Sequence, residues 1–159
     1  MGTYRSLHIV ENAGPNTLGR FLARRLKKGN KVEVDIASAF ITANGLKIIL
    51  PYLKSRKKRV RILASLYQSF TEPSALKRLL ALERATRERI AVRISRNKRF
   101  HQKMYLISDG RLTTAIVGSS NLTKEGLTNQ GELSIAFQFP ANTCRLHKIF
   151  EREWRNAVP

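Results

Sequence analysis

From Phe100 to Phe137 the chain reads FHQKMYLISDGRLTTAIVGSSNLTKEGLTNQGELSIAF, and the rest of the sequence is organised around this stretch. Gln102 to Ile107 carries Met, Tyr, Leu and Ile, the composition of a buried strand. Successive side chains of a strand alternate between faces, so His101 and Lys103, two apart, project side by side. Asp109-Gly110 supplies turn residues before a second buried strand, Thr113 to Val117. Gly118 ends that strand and leaves the polar group Ser119, Ser120 and Asn121 on a strand-to-loop edge. Leu133 to Phe139 reads as a third strand, with Glu132 at its head.

Outward from this stretch, strands alternate with helices. Leu7 to Val10 is a short first strand. Thr17 is the expected N-cap of a helix that runs to about Lys28, buries Leu18, Phe21, Leu22 and Leu26, and closes at Gly29-Asn30. Val32 to Ser38 alternates as a strand. A helix over Gly45 to Ser55 follows, with Pro51 expected to break or kink it. Val60 to Ser65 is a strand, Pro73 to about Arg89 a helix, and Ile90 to Ser95 a strand that delivers the chain to Arg96-Asn97-Lys98-Arg99 and then His101. Thr143 to Asn156 closes the chain as a basic helix with Leu146, Ile149, Phe150 and Trp154 on its apolar stripe. This rhythm indicates an α/β fold. The three late strands in succession make its sheet mixed, flanked by helices on both faces.

The 159 residues are expected to form one domain, 1–159, large enough to bury about 70% of the unfolded surface. A net charge of +19 is extreme at this size and calls for a polyanionic partner, nucleic acid first and an anionic membrane surface second. The single Cys144 excludes an intrachain disulfide framework and fits a reducing compartment. One Cys and three His show no zinc-ligand spacing, and no metal or other cofactor is expected. The N-terminus lacks an apolar signal-like run and no stretch approaches 18 apolar residues, so the expectation is a cytoplasmic protein without a membrane partner.

His101-x-Lys103 followed by Gly118-Ser119-Ser120-Asn121 resembles the signature of the phospholipase D superfamily, H-x-K, four residues, D, then G-S-x-N. Glu132 fits the Glu that recurs about ten residues past the Asn in the nuclease branch. One position departs: Ser108 stands where the signature has Asp, with Asp109 one place later, and Asp109 before Gly110 reads as a turn residue. The stretch covers about a quarter of the chain, and the remaining elements are compatible with one superfamily repeat. The resemblance implies a covalent phosphohistidine on His101 and a second His from a second motif. This chain has one motif, and neither His8 nor His147 has a Lys two residues on, so a homodimer with a shared active site is expected. Superfamily members also occur as the nuclease half of restriction endonucleases or fused to helicases. The ending at Asn156 to Pro159 would suit a boundary before a recognition or helicase domain of a longer protein.

The residue types suit that chemistry. Neutral imidazole is a nucleophile near neutral pH, with an ordinary pKa of about 6.5. Lys103 can neutralise a non-bridging phosphate oxygen, and the Asn121 amide and Ser119 hydroxyl can donate further hydrogen bonds. Glu132 is expected to hold the other imidazole nitrogen. For binding phosphates without reading sequence, the candidates are Arg96, Lys98 and Arg99 beside the motif, and Lys57, Lys58 and Arg59 in a second basic run. The basic residues of the first helix are read as a solvated face. The function expected is metal-independent endonuclease hydrolysis of DNA, with RNA left open. The alternatives are a phospholipase or phosphatidyl-transferring enzyme with the same motif, and a non-catalytic nucleic-acid-binding module. In the blandest reading, His101 is a surface histidine beside a basic stretch and Glu132 a solvated charge.

Overall fold

The computed structural model describes residues 5–27, 32–54, 58–129 and 131–159. Seven strands form one sheet: β1 (Ser6–Val10), β2 (Val32–Ser38), β3 (Lys58–Ala64), β4 (Ile90–Ile94), β5 (Lys103–Ser108), β6 (Leu112–Gly118) and β7 (Ser134–Pro140). Their spatial order is β1-β7-β6-β5-β2-β3-β4. The β2-β3-β4 portion is parallel, and every other pairing is antiparallel. The mixed sheet follows from connection lengths. The late strands are close enough in sequence to pair as neighbours, whereas parallel neighbours need a crossover helix.

Five helices cover the sheet: α1 (Leu18–Lys27), α2 (Ala43–Leu53), α3 (Pro73–Ala85), α4 (Lys124–Thr128) and α5 (Arg145–Arg155). The first four pack on one face, where Leu18, Leu22, Leu46, Ile49, Leu50 and Leu79 meet Val34, Ile36, Ile62 and Tyr105. Helix α5 lies on the other face, with Phe150, Trp154 and the nearby Cys144 on Ala37, Leu63, Met104, Leu106 and Ala115. Helices on both faces of a mixed sheet are what the sequence predicted.

Local signals account for most boundaries. Thr17 accepts a hydrogen bond from the Arg20 N–H at 3.3 Å, and Thr42 accepts one from Gly45, so each caps its helix. Pro51 does not break α2, contrary to expectation. It deletes one helix hydrogen bond near the C-terminal turn, while Ile49, Leu50 and Leu53 are at most 1% exposed and hold that turn against the core. Helix α3 stops at Ala85, short of the expected Arg89, where Arg87 and Glu88 take left-handed φ values of 50° and 60°. The expected close of α1 at Lys28 to Asn30 and the Ser55 end of α2 lie outside the described residues.

The α5 face is fastened by charge as well as packing. Arg61 on β3 donates two hydrogen bonds to Asp35 on β2, at 2.7 and 2.8 Å, and a third to Glu151 on α5. Its guanidinium also lies 5.0 Å from the Phe150 ring centre and 5.5 Å from that of Trp154. His147 reaches Asp35 at 3.5 Å and Thr113 at 3.1 Å, which gives it a structural role. Burial pushes the Asp35 carboxyl up, but hydrogen bonds from His147 and Arg61 outweigh it and leave it below its ordinary value. Asp35→Asn should therefore loosen α5 and cost about 3 kcal/mol, a fall in Tm of about 10 °C, followed by Trp154 fluorescence. A carboxyl whose folded pKa is depressed stabilises above its ordinary value of 3.8 and loses that contribution as pH falls through the depressed value. The gap between wild type and Asp35→Asn should accordingly close in strong acid.

Candidate active site

Register gathers the motif at one end of the sheet. Ser38 at the end of β2 pairs with Lys103 at the start of β5, Met104 with Val117 near the end of β6, and Gly118 with Ser134 at the start of β7. Gly118 is required by close approach, since a Cβ there would lie 2.2 Å from the Leu133 carbonyl oxygen. Residues far apart in the chain thus converge on one edge.

His101 is exposed just before β5, and the Lys103 ammonium lies 2.7 Å from its Nδ1 and 3.0 Å from its Nε2. That ammonium also donates to the His101 carbonyl at 3.0 Å. An ammonium has no lone pair, so a hydrogen bond between the two side chains runs from Lys103 to a ring nitrogen. Burial pulls the Lys103 pKa down and the Glu132 charge pulls it back, with a net fall. The imidazole is flanked edge-on by two rings, Phe40 at 5.5 Å and Tyr67 at 5.9 Å.

Asn121 is fixed by its side-chain oxygen Oδ1, which accepts from the Phe40 N–H at 3.1 Å and lies 3.5 Å from the Ser38 hydroxyl, itself donating to the Phe40 carbonyl at 2.7 Å. Ser38 in turn accepts from the Leu122 N–H at 2.8 Å. The Asn121 carboxamide is thereby oriented with its NH2 group away from the β2 terminus. Gly126 in α4 packs on the same turn, where a Cβ would sit 2.4 Å from the Asn121 backbone carbonyl oxygen. Beneath the turn, buried Tyr105 donates its hydroxyl to the Ser120 carbonyl at 3.0 Å, and burial, seconded by Glu132, pushes its pKa far up.

Glu132 does not meet His101 as expected. Its carboxylate accepts from the Ser119 hydroxyl, and Ser119 also receives the Leu133 N–H at 3.0 Å. The hairpin geometry from Gly118 to Ser134 places Glu132 over Ser119, so its influence reaches Lys103 as charge. Among the described residues the His101 ring is met by Lys103 and the aromatic pair instead.

The two basic runs part company. Arg96, Lys98 and Arg99 are exposed on the β4–β5 connection, on the same edge as His101. Phe100, 1% exposed, anchors that connection, and Asn97 braces it by accepting from the Arg99 N–H at 2.9 Å. Arg93 is turned away, its guanidinium 4.8 Å from the Trp154 ring and donating to the Trp154 carbonyl. Lys58 corrects the sequence reading: it is 7% exposed, and its ammonium donates to the Leu26 and Tyr52 carbonyls, so it is a core lysine whose pKa burial lowers. Arg59 is exposed, but it sits beside Lys58 at the start of β3, five residues from the motif end at Ala64 and hence about 17 Å away. Lys57 lies outside the described residues. Asp109 is confirmed as a turn residue at the far edge, accepting from the Leu112 and Arg111 N–H groups, which hold its carboxyl below the usual range.

Sequence reasoning missed Ser38, Phe40, Tyr67 and Gly126. A polar residue ending a strand beside an aromatic was a visible signal at Ser38 and Phe40, although its partner lies more than 80 positions away.

The sequence matches the family described as "Cardiolipin synthase, PLD-like domain" over residues 22–154, which span the whole site. The chain belongs to the phospholipase D superfamily. Among solved structures it is similar to Nuc from Salmonella typhimurium, a phospholipase D family member, with 15% identity, TM-score 0.69, and 96% of this chain and 95% of that one covered. It is also similar to NucT from Helicobacter pylori, with 15% identity, TM-score 0.70, and 98% and 99% covered. Phosphatidylserine synthase from Haemophilus influenzae Rd KW20 shares 15% identity at TM-score 0.62, with 96% of this chain and 39% of that one covered. At these identities the likeness is one of fold. No curated protein matches the sequence. The superfamily is one of phosphodiesterases. Among the described residues no helix is long and apolar enough to cross a membrane.

Proposed function

We propose that this phospholipase D superfamily protein is a nuclease that hydrolyses DNA phosphodiesters through a phosphohistidine on His101, in the cytoplasm and as a homodimer. The observation that carries the reading is the pairing of an exposed His101 with the Lys103 ammonium at 2.7 Å, beside an Asn121 amide locked by Phe40 and Ser38. When phosphate enters, Lys103 transfers its hydrogen bonds to a non-bridging oxygen and frees the imidazole lone pair. The imidazole nitrogen attacks phosphorus, the bridging P–O bond breaks, and the leaving oxygen takes a proton from a second imidazole opposite. Water then attacks the phosphohistidine, giving its proton to that second imidazole, and the P–N bond breaks. Asn121 donates to a phosphoryl oxygen, while Glu132, which accepts the hydrogen bond of the single Ser119 hydroxyl proton, balances the local positive charge.

The second imidazole comes from a second copy. Helix α5 reaches β6 through Thr113 and Ala115 but leaves β1 and the start of β7 on that sheet face uncovered, and Leu7, Ile9 and Leu133 there are 46%, 58% and 54% exposed beside half-buried Ile135. This strip adjoins Glu132 at the site edge, so an isologous interface on it would bring two His101 residues together.

A lipid substrate is the second reading, and the family description includes a cardiolipin synthase. The +19 charge and the exposed Arg96, Lys98 and Arg99 favour nucleic acid. Assays of the same preparation on DNA and on anionic phospholipid, in excess EDTA, test the choice. DNA cleavage supports the proposal, and lipid turnover alone sinks it. With about six phosphate contacts, log K should fall against log salt with a slope of roughly −5, and removing Arg96, Lys98 and Arg99 together should bring it to about −2.7. An unchanged slope would place the nucleic-acid path elsewhere.

A further inference from the structure

Two rings against His101, and two exposed apolar side chains on the segment that follows β3, have no part in that chemistry. Phe70 packs edge-on against Phe40, 4.9 Å between ring centres at 67°, and Phe40 in turn lies against His101. Tyr67 flanks the other side of His101. Leu66 and Phe70 are 57% and 58% exposed, and both stand on residues 65–72, between β3 and α3. Scattered exposed apolar residues are ordinary, but Phe70, Phe40 and Tyr67 form one chain of ring contacts with the candidate nucleophile, and Leu66 adjoins Tyr67 in sequence.

The segment holds them outward by its backbone. Gln68 and Ser69 both adopt left-handed φ, 51° and 58°, a conformation uncommon outside glycine and kept only where the surroundings enforce it. The surroundings do so: Tyr67 N–H donates to the Ser65 hydroxyl at 2.9 Å and Ser69 N–H to the Leu66 carbonyl at 3.1 Å. At the far end Glu72 N–H donates to the Ile41 carbonyl at 2.9 Å, and the Glu72 carboxylate accepts from the Ala43 N–H at 2.7 Å. The rings are thus fixed against water, which would otherwise favour their burial.

The neighbouring loop carries the complementary charge. Strands β3 and β4 are parallel neighbours, so the segment after β3 and the β4–β5 connection leave the sheet at the same edge. The first presents Leu66, Tyr67 and Phe70, and the second presents Arg96, Lys98 and Arg99. Aromatic faces beside a row of cations is the combination by which proteins hold unpaired nucleic acid, one part stacking bases and the other tracking the backbone. Bases inside a duplex have both faces covered by their neighbours and cannot use such a shelf.

We infer that Phe70, supported by Phe40, Tyr67 and Leu66, is a stacking shelf for an unpaired base next to the scissile phosphate, so that the enzyme prefers single-stranded substrate. This rests on the nuclease reading and adds strandedness to it. Stacking holds ground state and transition state alike, so it acts on KM and leaves kcat in place.

The test uses the full chain with three substrates of one length: a single-stranded oligonucleotide, its fully paired duplex, and a strand with abasic residues around the cleavage position. Wild type should favour the single strand over both others by about ten-fold in kcat/KM. Phe70→Ala should collapse that advantage through KM, and Phe70→Tyr should keep it. Equal cleavage of all three substrates by wild type would overturn the shelf while leaving the nuclease reading intact. An advantage that survives Phe70→Ala, or a Phe70→Ala protein that elutes as a monomer where wild type is a dimer, would also overturn it, the latter by assigning Phe70 to a subunit interface. Absence of any DNA cleavage would overturn the nuclease reading itself.

Discussion

His101→Ala should lower DNA cleavage by on the order of 10⁴-fold or more, because removing the nucleophile removes the covalent route entirely. Affinity for DNA should hardly move, since phosphate attraction resides in Lys103 and in Arg96, Lys98 and Arg99. Lys103→Met should cost less, on the order of 10²-fold, by stripping one cation from the phosphoryl group. Wild type should keep its rate in excess EDTA. Activity that vanished in chelator and returned with a divalent cation would refute the phosphohistidine route. Equally damaging would be a His101→Ala protein with more than a few per cent of wild-type turnover. Quenching wild type during turnover in base should preserve a phosphorylated protein that acid destroys, as a P–N bond requires.

Mixing wild type with His101→Ala should reduce activity with the square of the wild-type fraction. In-line displacement needs a nucleophile on one side of phosphorus and a proton donor on the other, and one motif supplies one imidazole. If two copies meet about a two-fold axis, each productive site requires two intact chains. Co-refolding at a one-to-one ratio and fixed total protein should leave about a quarter of the full rate. A linear loss to one half, or a monomer with full activity, would show that one His101 suffices. Leu133→Asp places a charge in the exposed strip and should dissociate the dimer and abolish cleavage together. In the intact pair one imidazole must be neutral and the other protonated, so activity should fall on both sides of a narrow pH optimum.

Much of this site could be read locally. A strand is legible from alternation and a turn from glycine or Asx chemistry, so β2 ends at Ser38 as read and the strands around the motif agree to within a residue or two. His101 and Lys103 come together because two positions along an extended chain place side chains together whatever surrounds them. The same holds for Asp109, whose carboxylate serves N–H groups two and three residues on.

What only the tertiary structure decided depends on which strands become neighbours. Lys58 and Arg96 look alike in a charged run, yet β3 begins under α1 and α2 and buries Lys58 on their carbonyls, while Arg96 leaves the sheet at its reactive edge. Glu132 was recognised by position, but its partner was set by the β6–β7 register, which delivers it to Ser119. Phe40 and Tyr67 flank His101, with Phe70 against Phe40, because β2, β3 and β5 end or begin side by side. The sequence by itself determined the reacting groups and the elements that carry them, because periodicity and turn chemistry act over a few residues. The sheet order determined what those groups touch, because hydrogen bonds and burial act between residues adjacent in space, wherever they stand in the chain.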